Sequence, residues 1–212
     1  MKASAIGLIV CIIIVAFAAA CFAGQTRGYQ TTDVNLKMAL HIKAHNAKQS
    51  CSNLPVITEL GDMTRTATGA GDYDVFMVLF DYGTGFTGAE FGLSWPAEWG
   101  SGTTNHCGDF AIGGIAFPED IISLTWSACQ SSPAFAPITW TWLAATGPGQ
   151  IIMVYKYRDT PPGPILGIVD CAFQEHLAEY VYFAAVNETP WEGEPYYATE
   201  PTTWGNIKSM FR

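Results

Sequence analysis

Residues 34 to 45, VNLKMALHIKAH, alternate apolar and polar positions almost without fault. Val34, Leu36, Met38, Leu40, Ile42 and Ala44 fall on one side, and Asn35, Lys37, His41, Lys43 and His45 on the other. A period of two is the mark of a half-buried strand. Further strands are predicted at 73–82, 89–95, 109–117, 121–128, 137–145, 150–157, 164–170 and 179–186. Each is short, rich in β-branched and aromatic residues, and bounded by Gly, Pro, Asp or Thr. No segment after residue 33 carries a helical stripe over twelve positions. The pattern therefore predicts an all-β fold, an antiparallel β-sandwich or jelly roll with an extended C-terminal tail.

Turn chemistry agrees with this, since Gly83-Thr84-Gly85, Gly147-Pro148-Gly149 and Pro161-Pro162-Gly163 supply the special backbone angles of tight connections. Composition shifts after Cys171. Residues 175–212 hold six Glu, no Asp, three Pro, Trp191, Trp204 and four Tyr. Side chains that large seek a groove, either on their own domain or on a neighbour. The expected contact residues are Tyr180, Tyr182, Phe183, Trp191, Tyr196, Tyr197, Trp204, Ile207, Met210 and Phe211, with Lys208 and Arg212 meeting acidic surface.

The chain has 212 residues and is 49% apolar but only 14% charged, which rules out disorder for most of it. Its formal charge of −9 is the wrong sign for nucleic acid or anionic lipid. Residues 3–24 form an apolar run behind Lys2 and end in small residues, as a secretory signal does. Cleavage after Ala23 defines a signal peptide at 1–23, a sandwich domain at 24–174 and a C-terminal strand and tail at 175–212, in a product secreted or held at the cell surface with no membrane segment left. An uncut anchor and a lipidated Cys21 share the same pattern. The exported chain keeps Cys51, Cys107, Cys129 and Cys171, an even number with no CxxC pair, which points to disulfides rather than zinc or buried thiols. Three connectivities exist. The favoured one joins Cys107 to Cys129 across a two-strand segment and leaves Cys51 with Cys171.

Catalytic patterns are weak. GTGFTG at 83–88 spells GxGxxG, but a strand rather than a helix follows it, so it is assigned to a hairpin loop and no cofactor is expected. His41, His45, His106 and His176 lie near no Ser in a strained turn. The spacing of His41 and His45 suits a metal on a helix but not on a strand, where both are placed on the solvated face. Asp72, Asp74 and Asp81 are assigned to turns rather than to calcium. Trp95, Trp126, Trp140 and Trp142 are assigned to the core, leaving Trp99, Trp191 and Trp204 as platforms for a glycan partner.

From YDVFMVLFDY through GAEFGLSWP and CGDFAIGGIAFP to WSACQ and ILGIVDC, the chain resembles a group of uncharacterised exported bacterial proteins. The resemblance covers roughly residues 37–171 and implies a β-sandwich without implying an activity. The ending TTWGNIKSMFR is similar to the C-terminal ending of exported bacterial proteins, and GAEFGLSW is loosely similar to cohesin-type sandwiches, which bind partner modules. The expected function is a secreted, non-catalytic structural subunit that assembles with itself into a filament or coat by strand or tail exchange. The alternative is a monomeric binding module for a glycan or partner protein.

Overall fold

The computed structural model describes residues 35–195 except 103, 155, 160 and 161, with backbone alone for 156–159 and 162–165. The expected signal segment and Tyr196, Tyr197, Trp204, Ile207, Lys208, Met210, Phe211 and Arg212 lie outside the described residues. The first strands are β1 (Lys37–Ala44), β2 (Thr66–Ala67), β3 (Gly71–Phe80), β4 (Phe86–Ser94), β5 (Gly100–Ser101) and β6 (Asn105–His106). They are followed by β7 (Phe110–Gly113), β8 (Ile121–Gln130), β9 (Phe135–Ala145), β10 (Gly149–Val154), β11 (Lys156–Asp159) and β12 (Pro162–Ile165). The last are β13 (Gly167–Asp170), β14 (Glu175–Leu177), β15 (Tyr180–Tyr182), β16 (Ala184–Val186) and β17 (Glu192–Gly193). Helix is confined, among the described residues, to two 3₁₀ turns at Cys51–Asn53 and Leu60–Asp62.

The strands make an all-β sandwich of two mixed sheets. One sheet runs β17-β15-β1-β3-β9-β5, with β6 also on β9. In the other, β4 is flanked by β8 on one side and by β13 and β10 on the other. Beyond these lie β7 on β8, β14 on β13, and β16 on β10 with β2 beyond it. A small ribbon pairs β11 with β12. Pairing is antiparallel except for β1 with β15 and β2 with β16, which are parallel, so the antiparallel expectation holds for most but not all of the ladder.

The main core lies between the sheets and contains Met38, Leu40, Val75, Met77, Leu79, Phe91, Leu93, Ile122, Leu124 and Ile168. A second apolar cluster of Ala39, Phe76, Val78, Phe80 and Trp140 sits on the outer face of the first sheet, under Ile57 and Met63. The first sheet is thus buried on both faces. This corrects the solvated placement of His41, whereas His45, just past the end of β1, is exposed as expected. His41 is 7% exposed, packs 5.9 Å from the Phe76 ring, and accepts the Thr64 N–H at Nδ1, 3.1 Å away. His45 binds Asp74, a carboxylate with no exposed surface, at 2.7 Å, and the Asn46 N–H donates to the same carboxylate at 2.8 Å. Asp74 therefore lies inside β3 and not in a turn. The two histidines mark the two ends of the segment that folds over this face.

Two disulfides close the fold, but with a different connectivity from the favoured one. Cys51 pairs with Cys107 and Cys129 with Cys171, at Cα separations of 5.6 and 5.5 Å. Cys107 is drawn towards the first sheet because its N–H donates to Ile138 of β9, 3.1 Å away. Cys129 is held beside the start of β4, since the β8 register slips so that Gln130 faces Phe86 while Thr125 faces Gly88. The first bridge ties down the covering segment, and the second joins the two neighbours of β4. Gly85, at φ 137°, passes against the second bridge, where a Cβ would stand 2.7 Å from the Cys129 sulfur. The 83–88 loop is not a hairpin either, because β3 and β4 belong to different sheets.

Peptide mapping without reduction should yield Cys51–Cys107 and Cys129–Cys171 fragments. Loss of either bridge should lower stability by about 4 kcal/mol on loop-closure grounds, measured by urea unfolding. Asp74→Ala should cost about 2 kcal/mol, because it leaves the Asn46 N–H and the His45 ring without their acceptor. Burial first, then the charge of Lys43, holds His41 below its ordinary pKa, so the folded state binds its proton less readily than the unfolded state does. Its stabilising effect is complete above about pH 6.5 and falls as pH drops below that value. His41→Gln should flatten this slope in pH-dependent melting.

Candidate interaction face

The second sheet is covered on its inner face only, and two cross-strand rows run over the outer one. The first row reads Phe110, Thr125, Gly88, Val169 and Glu175 from β7 to β14. The second reads Ile112, Ser123, Glu90, Gly167 and Leu177. Each row has a glycine where its neighbours have side chains. The result is a shallow recess of 160 Å³ over β8, β4, β13 and β14. Gly167 is required there, because a Cβ would run into the His176 carbonyl of β14.

At the β7 end the face turns apolar. Phe110 is 59% exposed and Ile112 65% exposed, and Phe117, in the connection to β8, is 71% exposed. Strand alternation alone would send Phe110 and Ile112 inward; instead the small Ala111 packs against the core and its neighbours face out. Asp109 caps this strand by accepting the Ser127 hydroxyl and backbone N–H, each at 2.6 Å, and these bonds hold its carboxyl below the usual range. Phe117 and Ala116 donate their N–H groups to Asp120 at 2.9 and 3.1 Å, which shapes the connection.

The other sequence candidates are tied into structure. Asp170 accepts the Ala172 and Gln174 N–H groups, both at 2.8 Å, and bonds the buried His176 ring at 2.8 Å, so the pair staples the β13–β14 turn. Burial pushes the Asp170 carboxyl up, but the bonds from Gln174, His176 and Ala172 outweigh it and leave the pKa lowered. His106 bonds the Gly108 carbonyl at 3.1 Å. Asp81 pairs with Lys37 at 2.6 Å, and Asp72 lies within β3. Among the described residues no group of three His, Cys, Asp or Glu is placed to hold a metal.

Of the expected glycan platforms, Trp99 is buried at 5% exposure, Trp191 is 39% exposed, and Trp204 lies outside the described residues. In the expected core set, Trp95 and Trp140 are buried, while Trp126 and Trp142 are half-buried. The tail boundary at 174 also shifts. Tyr180 and Tyr182 lie in β15 beside β1, Phe183 is buried against Trp191 at 5.0 Å, and Ala184 to Val186 are in the core. The sandwich thus takes in the strand expected at 179–186, split into β15 and β16, and also β14 and β17 within the expected tail, because their apolar positions close the gap beside β1 and β10.

No protein-family model matches the chain, and no curated protein matches it. Among solved structures it is similar to a cohesin module from a Clostridium perfringens ATCC13124 family 33 glycoside hydrolase. The identity is 10%, with 74% of this chain and 95% of that one covered and a TM-score of 0.41. A likeness of that size does not reach function.

Exposed apolar side chains that serve a contact should be dispensable for folding. Phe110→Ser and Ile112→Thr should each change unfolding free energy by no more than about 0.5 kcal/mol. Leu124→Ala, one position away on the facing strand but pointing inward, should cost about 3 kcal/mol. Paired urea titrations check both.

Proposed function

We propose that the protein is a secreted, non-catalytic structural subunit that works by contact, through the outer face of its second sheet and the β7–β8 hairpin. The observation that carries this is the gathering of Phe110, Ile112 and Phe117, all more than half exposed, on one hairpin. Exposed apolar groups clustered in this way mark interaction surfaces. Two disulfides and, among the described residues, no helix long and apolar enough to cross a membrane are compatible with an extracellular location. The histidines and the Asp170–His176 pair are engaged in bonds that shape turns and cover the first sheet, which supports a non-catalytic role.

Self-assembly is the leading reading, and its route differs from simple strand exchange. β1 lies between β3 and β15 in its own sheet, so donating it would dismantle the domain. Among the described residues the contact surface that remains is the hairpin. The recess favours a second reading, a monomeric module for a partner protein or glycan, because Ser123, Thr125 and Glu90 give it a polar rim.

Size-exclusion chromatography with light scattering, together with electron microscopy of the native secreted chain, separates the two. Growth of mass with concentration, or visible polymers, is expected for the structural subunit. A strict monomer at high concentration overturns self-assembly and leaves the binding module.

A further inference from the structure

We infer that β7 is the edge through which a second copy of this chain adds to the second sheet, in antiparallel register about Ala111; the inference rests on the contact reading above. Among the described residues β7 pairs with β8 alone, so its far side carries unmatched backbone donors and acceptors. Edges of this kind are usually blunted by Lys, Pro or an inward charge. Between Phe110 and Ala116 there is neither a charge nor a proline. The nearest charge is Asp109, whose carboxylate is turned back to Ser127 of its own sheet.

The register follows from the side chains. Centred on Ala111, a two-fold pairing sets Phe110 of each copy opposite Ile112 of the other, an aromatic facing a β-branched residue, among the favourable cross-strand pairs. All four side chains then lie on one continuous outer face. Ala111 meets Ala111 on the inner side, where small residues let the strands approach. The contact is self-complementary, as a two-fold interface must be.

Its limits also follow. β7 is four residues long and Gly113, at φ 80°, ends it, so the ladder is short. A four-residue ladder is short beside the roughly 1,200–2,000 Å² that stable interfaces bury, so the pairing is expected to be transient and concentration-dependent. Being isologous, it closes at two copies; a filament needs a second, different contact. Each copy carries a strong net negative charge, −9 over the full sequence, so added salt should strengthen the pairing by screening repulsion.

The test is sedimentation of the full secreted chain over a range of concentrations at low and high salt. A mass that rises towards twice the monomer, more readily at high salt, is expected. Phe110→Asp and Ile112→Asp should each raise the dissociation constant at least about tenfold. Phe173→Asp is the control, since Phe173 is 73% exposed but lies in the β13–β14 turn at the opposite edge. Hydrogen exchange of the unmodified chain gives an independent readout, with protection of 110–113 growing as concentration rises. Association that both β7 variants leave unchanged, or that adds no protection at 110–113, overturns this inference while the contact reading stands. A chain that stays monomeric in all conditions overturns this inference and self-assembly together.

Discussion

A strand that is apolar on both faces must be covered twice, and β3 is such a strand. Val75, Met77 and Leu79 enter the core between the sheets, while Phe76, Val78 and Phe80 point the other way. Leaving those outer rings in water would forfeit roughly 2 kcal/mol for each large side chain. The segment between β1 and β2 folds over them instead, bringing Leu54, Ile57 and Met63 into contact. Since loops have backbone groups of their own to satisfy, the cover needs fixed points. Asp74 with His45 and Asn46 provides one, the Cys51–Cys107 bridge a second, and Thr64 bonded to His41 and Ile42 a third. One side of the sandwich is thereby closed.

The same economy explains why the other side stays open. The chain after β3 crosses to the second sheet through Asp81, Gly83 and Gly85, all at positive φ, and emerges as β4. β4 becomes the axis of that sheet, flanked by β8 and β13, whose ends the Cys129–Cys171 bridge joins across Gly85. Its outward positions include Gly88 and Glu90, which ask for no second layer. Ser123, Thr125 and Glu175 continue that surface with the half-buried Val169 and Leu177 between them, and at β7 it turns to large exposed apolar groups. The exposed apolar groups at the β7 end are covered by no second layer among the described residues, whereas the apolar outer face of β3 is covered by one.

Much of the architecture was legible in the sequence because β3, β4, β8 and β9 are long and regular, and alternation locates strands irrespective of what lies above them. Alternation is blind to that upper layer. His41 reads as solvated because its neighbours Lys37 and Lys43 are, yet a segment from elsewhere in the chain lies across it. Trp99 fails for the same reason: a loop position by local pattern, it is buried near Gly149, where an added Cβ would press on its ring. The disulfide choice assumed that two strands close in sequence bring their ends together, and the slip in β8 between Thr125 and Gln130 breaks that assumption. The candidate face was the least visible part. Phe110 and Ile112 look like core residues until the strand order shows that β7 is an edge.

Charge and apolar surface set two opposing demands on this protein. A charge of −9 keeps copies apart at a distance, with a reach of about 10 Å at ordinary ionic strength. Residues 110–117 carry no charge, although Asp109 and then Glu119 and Asp120 flank them. Long-range repulsion with a short-range apolar contact favours encounters in one orientation and suppresses the rest, which is how specificity arises from a small surface. Had the same three side chains been spread over the sandwich, each would be an ordinary exposed residue. Gathered beside an unpaired strand edge, they make a part of the described surface where backbone bonding and apolar burial can be satisfied together by the same contact.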